Sequence, residues 1–184
     1  MQQIKYIFIS LILMTFSSVA IAGDWSKIRI GTEGAYEPWN FTDSAGNIVG
    51  AEIDLANDLC KRMNAECEFV QQDWDGIIPA LTNGKYDVIM AGMSITEERM
   101  ETISFSNAYF TEPARLAALK GAPLSTFEAG KSLDLGQDNS VTKGTINAMS
   151  SALQGYKLGV TVATIHENFA NEYLDVDLKV YQTQ

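Results

Sequence analysis

Apolar positions recur along this chain with two alternating periods. Ile28-Arg29-Ile30-Gly31 reads as a short strand. Ile53, Ala56, Leu59, Cys60 and Met63 then return at helical spacing, with Asp54, Asn57, Asp58, Lys61 and Arg62 on the opposite face. Asn64-Ala65-Glu66 turns the chain into a second strand, Cys67-Glu68-Phe69-Val70. Asp75-Gly76 opens another helix. Pro79 is tolerated in its first turn, Ile77, Ile78 and Leu81 point inward, and Asn83-Gly84 ends it. Residues 87–91 form the third strand pattern. Strand, helix, strand, helix, strand predicts an α/β fold built on a parallel sheet with right-handed crossovers.

Ligands of such sheets bind beyond the carboxyl ends of the strands. Three segments lie there: residues 33–41, 71–76 and 91–99. The whole of 32–50, rich in Gly, Asn, Asp and aromatic residues, reads as loop. Past residue 110, Pro113 to Lys120 is an extended segment leaving the first unit, and 121–139 is a polar surface excursion or linker. Val141, Thr145, Ala148, Met149, Ala152 and Leu153 give a helix. Residues 156–162 give a strand, 165–173 a helix and 177–181 a strand, so a second α/β unit has begun.

The three carboxyl-end segments carry the candidate chemistry. In Ala91-Gly92-Met93-Ser94-Ile95-Thr96-Glu97-Glu98-Arg99, the small Ala91 and Gly92 let a ligand approach the backbone. Ser94 or Thr96 is available as a helix N-cap, with Glu97 in capping-box position after Ser94. The helix start offers N–H groups, and Arg99 offers a planar charged fork suited to a carboxylate. The same stretch also reads as a capped surface helix whose Arg faces water, and the residues alone leave both open. Tyr36, Trp39 and Trp74 lie in two converging loops and either sandwich a flat or cationic group or plug the core under the loops, with Tyr36 and Trp74 favoured as lining and Trp39 open. Glu33 directly follows the first strand and either meets a ligand cation or caps a turn. His166, the one histidine, follows the strand 156–162 together with Ala163 and Thr164, again at a carboxyl end. It is a poor candidate for metal or triad chemistry without a carboxylate or Cys cluster.

Composition changes the picture in three ways. Lys5 is the only charge in the first 22 residues, an apolar core runs from Ile7 to Phe16, and Ala20-Ile21-Ala22 is a small-x-small cleavage site. Residues 1–22 are therefore expected to be a signal peptide, cleaved before Gly23, and the mature protein a soluble, exported one. With 23 acidic against 13 basic residues and a net charge of −10, nothing supplies a nucleic-acid footprint. Cys60 and Cys67 are most simply a disulfide in an oxidising compartment, tying a helix end to the next strand. No metal site or cofactor is expected.

Gly50-Ala51-Glu52-Ile53-Asp54-Leu55-Ala56-Asn57-Asp58-Leu59-Cys60 resembles the signature of the family 3 extracellular solute-binding proteins. These are periplasmic receptors of polar amino-acid ABC transporters. Trp74-Asp75-Gly76-Ile77-Ile78-Pro79-Ala80-Leu81 and the stretch from Ala91 to Arg99 are similar as well. The Cys60–Cys67 pair is similar to a disulfide of the lysine/arginine/ornithine and histidine receptors. Residues 33–41 look most like those of the opine receptors, octopine and nopaline among them.

The resemblance implies a type II periplasmic binding protein, two α/β lobes with a hinge, closing on the ligand. Lobe I would cover 23–116 and lobe II 117–184, with Arg115 to Lys120 as the first hinge crossing. Arg99 would hold an α-carboxylate, helped by Ser94 and by an N–H at Thr164 or its neighbour. The carbonyl of Ala91 or Gly92 would accept from the α-ammonium. Tyr36 and Trp74 would sandwich the side chain, and Glu33 would meet its distal cation. Family members need about a further third of chain, so a C-terminally incomplete second lobe is expected. If complete as it stands, the chain is expected to fold poorly and not to bind. The function expected is a monomeric, non-enzymatic receptor for arginine, lysine, ornithine, histidine or an opine, delivering to an inner-membrane ABC permease. The alternatives are a cyclohexadienyl or arogenate dehydratase-like enzyme of the same fold, and the sensing domain of a membrane receptor.

Overall fold

The computed structural model describes residues 25–126 and 140–182. The expected signal peptide, and 127–139 of the polar excursion, lie outside the described residues.

Strand β1 (Lys27–Thr32) is the middle of a three-stranded parallel sheet, between β5 (Glu66–Gln71) and β6 (Val88–Ile89). Its register sets Ile30 opposite Phe69 on one side and Val88 on the other. Alternation splits its side chains between two layers. Ile28 and Ile30 pack with Ala56 and Cys60 of helix α1 (Ala51–Met63), and Cys67, Phe69 and Met90 join them. On the opposite face Tyr86 and Ile77 form a second cluster with Ala91, Val70, Ile78 and Leu81, under helix α2 (Ile77–Thr82). Gly31 lies beneath Tyr86. A Cβ there would come within 2.5 Å of the ring. The buried Tyr86 hydroxyl donates to the Ile77 carbonyl, so the ring reaches across without an orphaned O–H.

The disulfide forms between α1 and β5, with Cα atoms 5.9 Å apart. Helix α1 ends at Asn64 in the left-handed region (φ 54°), and the Ala65 N–H returns to the Cys60 carbonyl at 2.9 Å. Arg29 grips Asp87 through two hydrogen bonds, 2.6 and 3.1 Å, and also donates to the carbonyls of Gly84 and Lys85. This fastens the turn before β6 to β1.

Two expectations need correcting. Residues 32–50 are not all loop: β2 (Ala35–Tyr36), β3 (Asn40–Thr42) and β4 (Ile48–Val49) form an antiparallel meander. Strands of two or three residues show no readable alternation. The turn is set instead by Asp43, whose carboxylate accepts from the N–H groups of Ala45 and Asn47. The helix near Arg99 is only α3 (Glu97–Met100), and Thr96, not Ser94, is its N-cap, accepting from the Arg99 N–H at 3.2 Å. With the cap at Thr96, the third helical position is Arg99 itself, so the Ser94–Glu97 capping box does not form.

The second unit is smaller. Strands β7 (Lys157–Thr161) and β8 (Asp177–Tyr181) pair in parallel, connected through helix α5 (Ile165–Tyr173), with α4 (Ser140–Leu153) preceding them. Ile146, Leu153 and Ala170 are its buried apolar residues. Among the described residues, no helix is long and apolar enough to cross a membrane.

Candidate functional site

A cleft opens where the carboxyl ends of β1, β5 and β6 face the carboxyl end of β7. Its first wall is Glu33, Tyr36, Trp74, Ala91, Gly92 and Ser94. The second is Thr161, Thr164, Ile165 and His166, and Glu112 to Ala114 run between the two. Eight of the ten candidate ligand residues read from the sequence therefore line one cavity. Arg99 and Trp39 are outside its wall.

Arg99 sits at the edge, locked between the two units. Its Nη1 donates to the Ser94 carbonyl at 2.9 Å and its Nη2 to the Ala163 carbonyl at 3.0 Å. The guanidinium lies 5.4 Å from the centre of the Trp74 ring. Burial lowers its pKa from the ordinary arginine value, while Glu98 opposes that shift. The group keeps its charge. Trp74 also donates to the Ala163 carbonyl, from Nε1 at 3.0 Å. One main-chain oxygen of the second unit thus receives two side chains of the first. Ala163 is held for this in the left-handed region (φ 56°), and its own N–H donates to Glu167 Oε2 at 2.6 Å.

Trp39 is not among the residues that line the cleft. It stacks on Phe110 with centroids 4.1 Å apart and planes 12° from parallel, which covers one face of its ring. Tyr36 stays in the wall. Its ring crowds Gly92 so closely that a Cβ there would stand 2.8 Å away, and Gly92 holds a φ of 62°. Both facts call for glycine.

The loops are held in place by a buried polar chain that centres on Glu52. Glu52 is 1% exposed, although it sits on a surface-length helix. Its Oε2 accepts from Asn40 Nδ2 at 2.7 Å, and its Oε1 accepts from the Gly92 N–H at 2.8 Å and from the Tyr109 hydroxyl. Asn40 Oδ1 in turn accepts from the Gly34 N–H at 2.8 Å. One carboxylate so joins the loop after β1, the meander, the loop after β6 and the segment leading out of the first unit. Sequence reasoning did not single it out. A signal existed, because Glu52, Ala56 and Cys60 follow one another at four-residue steps, which puts an acid on the buried stripe.

Glu33 is the other buried acid, 6% exposed, and its Oε1 has no hydrogen-bond partner among the described residues. Burial pushes its carboxyl above the ordinary range, and the charge of Asp73 adds to this. An orphaned oxygen in a cavity wall is expensive unless something completes it. Thr164 is the N-cap of α5: its hydroxyl accepts from the Glu167 N–H at 3.2 Å and donates to the Thr161 carbonyl at 2.7 Å. The hydroxyl is therefore committed, and the first-turn N–H groups of α5 are what that helix start offers. Thr164-Ile165-His166-Glu167 is a readable Ser/Thr-x-x-Glu capping pattern that sequence reasoning passed over. The cleft is lined by an acid, Glu33, and by the start of α5, with the Arg99 guanidinium beside it.

The model of the bacterial extracellular solute-binding proteins, family 3, matches residues 28–172. The octopine-binding periplasmic protein of Rhizobium meliloti is 42% identical over 165 residues, which is 88% of this chain and 56% of that protein. Among solved structures, the ancestral amino acid-binding protein AncCDT-1, a precursor of cyclohexadienyl dehydratase, is 31% identical with a TM-score of 0.66. It covers 86% of this chain and 62% of its own. An ancestral arginine-binding protein bound to arginine is 31% identical with a TM-score of 0.61, over 86% and 62%. The chain thus spans under two thirds of the length of these relatives.

Proposed function

The chain belongs to the bacterial extracellular solute-binding proteins of family 3, and on that premise we propose that it captures a cationic amino acid or an opine for ABC-transporter uptake. The observation that carries this reading is the polarity of the cleft. Glu33 with its unpartnered oxygen, the Tyr36 and Trp74 rings and the start of α5 line the cleft, and the Arg99 guanidinium lies beside it against Trp74 and the Ala163 carbonyl. An α-amino acid with a basic tail carries the complementary set of charges. Arg99 holds its carboxylate, aided by N–H groups at the start of α5. The Ala91 or Gly92 carbonyl accepts from its ammonium, and Glu33 meets the tail. The Ala163 carbonyl yields part of its hold on Arg99 to the ligand.

In this reading residues 1–22 are a cleaved signal peptide and the protein works as a periplasmic monomer. Lobe I spans 23–116 and lobe II 117–184. The chain crosses between them at 115–120, and closure creates the surface an inner-membrane permease reads. It acts by binding and not by catalysis, so prephenate incubated with it is expected to remain unchanged.

Thermal shift of the exported protein with arginine, lysine, ornithine, histidine and octopine tests the proposal, and at least one is expected to raise Tm. A Tm unmoved by all five overturns it. Arg99→Ala is expected to weaken the bound ligand by about 2–5 kcal/mol in calorimetry while leaving the circular dichroism spectrum unchanged. Undiminished binding by that variant removes Arg99 from the site.

A further inference from the structure

Glu112 enters the same cleft as Glu33 from a different part of the chain. It lies in the exposed segment that runs from the first unit toward the second. Its Oε1 accepts the Tyr36 hydroxyl. That contact sets the carboxylate beside one of the two rings flanking the cavity and leaves Oε2 for another donor. Tyr36 remains a donor at neutral pH, since burial first and Glu112 second push its phenol up to about 12. No ion pair found among the described residues involves Glu33 or Glu112. The lysines and arginines in those pairs are taken by Glu68, Asp87, Asp58 and Asp177. Both carboxylates line one cavity, so a cationic group bound there has two acids to meet.

We infer that Glu112 is a specificity-determining residue which, with Glu33, selects a ligand ending in a guanidinium. This inference rests on the function proposed above. The chemistry favours the guanidinium over an ammonium for a geometric reason. A guanidinium has five N–H donors spread over a plane, so it can serve two carboxylates from two sides at once. An ammonium is a compact point charge with three. The flat ion also suits the space between the Tyr36 and Trp74 rings. A simpler role for Glu112, tethering the exposed segment to Tyr36, would affect all ligands alike. Its effect on one ligand class separates the two.

The test is calorimetry of the exported protein with arginine, lysine and citrulline, the last an isostere of arginine with a neutral tail. Wild type is expected to bind arginine more tightly than lysine, and lysine more tightly than citrulline. Glu112→Gln is expected to weaken arginine about tenfold or more while citrulline changes by less than about threefold, because only the charge-assisted bonds are lost. Glu112→Asp, which keeps the charge, should retain most of the arginine-to-citrulline ratio. A Glu112→Gln ratio equal to wild type overturns this inference and leaves the proposed function standing. A wild type that binds neither a cationic amino acid nor an opine overturns both.

Discussion

Residues 27–100 bury four polar side chains, Thr32, Glu33, Asn40 and Glu52, among their apolar core, whereas residues 140–182 bury one, Thr142. The first unit spends those groups on wiring its loops together, as the bonds that meet at Glu52 show. The second unit meets those side chains with backbone, the Ala163 carbonyl taking Trp74 and Arg99, and lines the cleft with the first turn of α5. Its β8 strand leaves Val180 and Tyr181 exposed. Under the proposed function the contrast divides the labour of the site. Side chains of the first unit can discriminate among ligands, because each is a distinct chemical group at a fixed place. Main-chain groups of the second can clamp any carboxylate that arrives, and they carry little selectivity of their own.

Removing the hub of the first unit is expected to give the largest stability effect. Glu52→Ala leaves Asn40 Nδ2, the Gly92 N–H and the Tyr109 hydroxyl without their acceptor. Orphaning these groups should destabilise the fold by about 3 kcal/mol or more in urea unfolding. The Gly92 loop should loosen with it, so ligand affinity should fall although Glu52 touches no ligand. A loss under about 1 kcal/mol would mean that water replaces the carboxylate and that the loops hold themselves.

The matching cut in the second unit is smaller. Thr164→Ala removes the N-cap of α5 and the bond to the Thr161 carbonyl. The expected cost is about 1 kcal/mol of stability, with Thr164→Ser recovering most of it. The ranking of arginine, lysine and citrulline should not change, since the cap carries no selectivity. A changed ranking would show that the second unit discriminates too, and the division of labour would fail.

The parallel sheet was legible because β1, β5 and both flanking helices have uninterrupted periods long enough to read. The convergence of Glu33, Tyr36, Trp74, Ser94 and His166 on one cleft followed from the carboxyl-end rule, which needs only strand order and direction. The meander was not legible, as its strands are too short for alternation to show. Trp39 and Arg99 show a different limit. Trp39 is stacked on Phe110, some 70 positions on, and Arg99 is held by Ala163, which belongs to the other unit. Glu112 was hidden for the same reason, as its significance depends on Tyr36. Periodicity gives the face a residue lies on, but a long-range partner decides what its side chain does there.

Glu33 offers the finest test of the contrast, because one residue should respond with opposite signs in two measurements. Burial, and then Asp73, hold its carboxyl above the ordinary range, so the folded chain keeps that proton more tightly than the unfolded chain does. As pH rises from the unfolded carboxylate value through the raised folded one, the unfolded state gives up its proton first. Stability of the ligand-free protein should fall across that window and stay lower above it. Glu33→Gln, neutral throughout, should lack the fall and be the more stable protein at neutral pH. Ligand binding runs the other way. A cationic tail needs the ionised carboxylate, so arginine affinity in wild type should rise over the same window, and in Glu33→Gln it should stay flat and weak. Tm recorded from about pH 4 to about pH 8, with and without arginine, reads both trends on one sample. Parallel curves for wild type and variant would show that Glu33 does not titrate in the cleft, and the site would lose its principal acid.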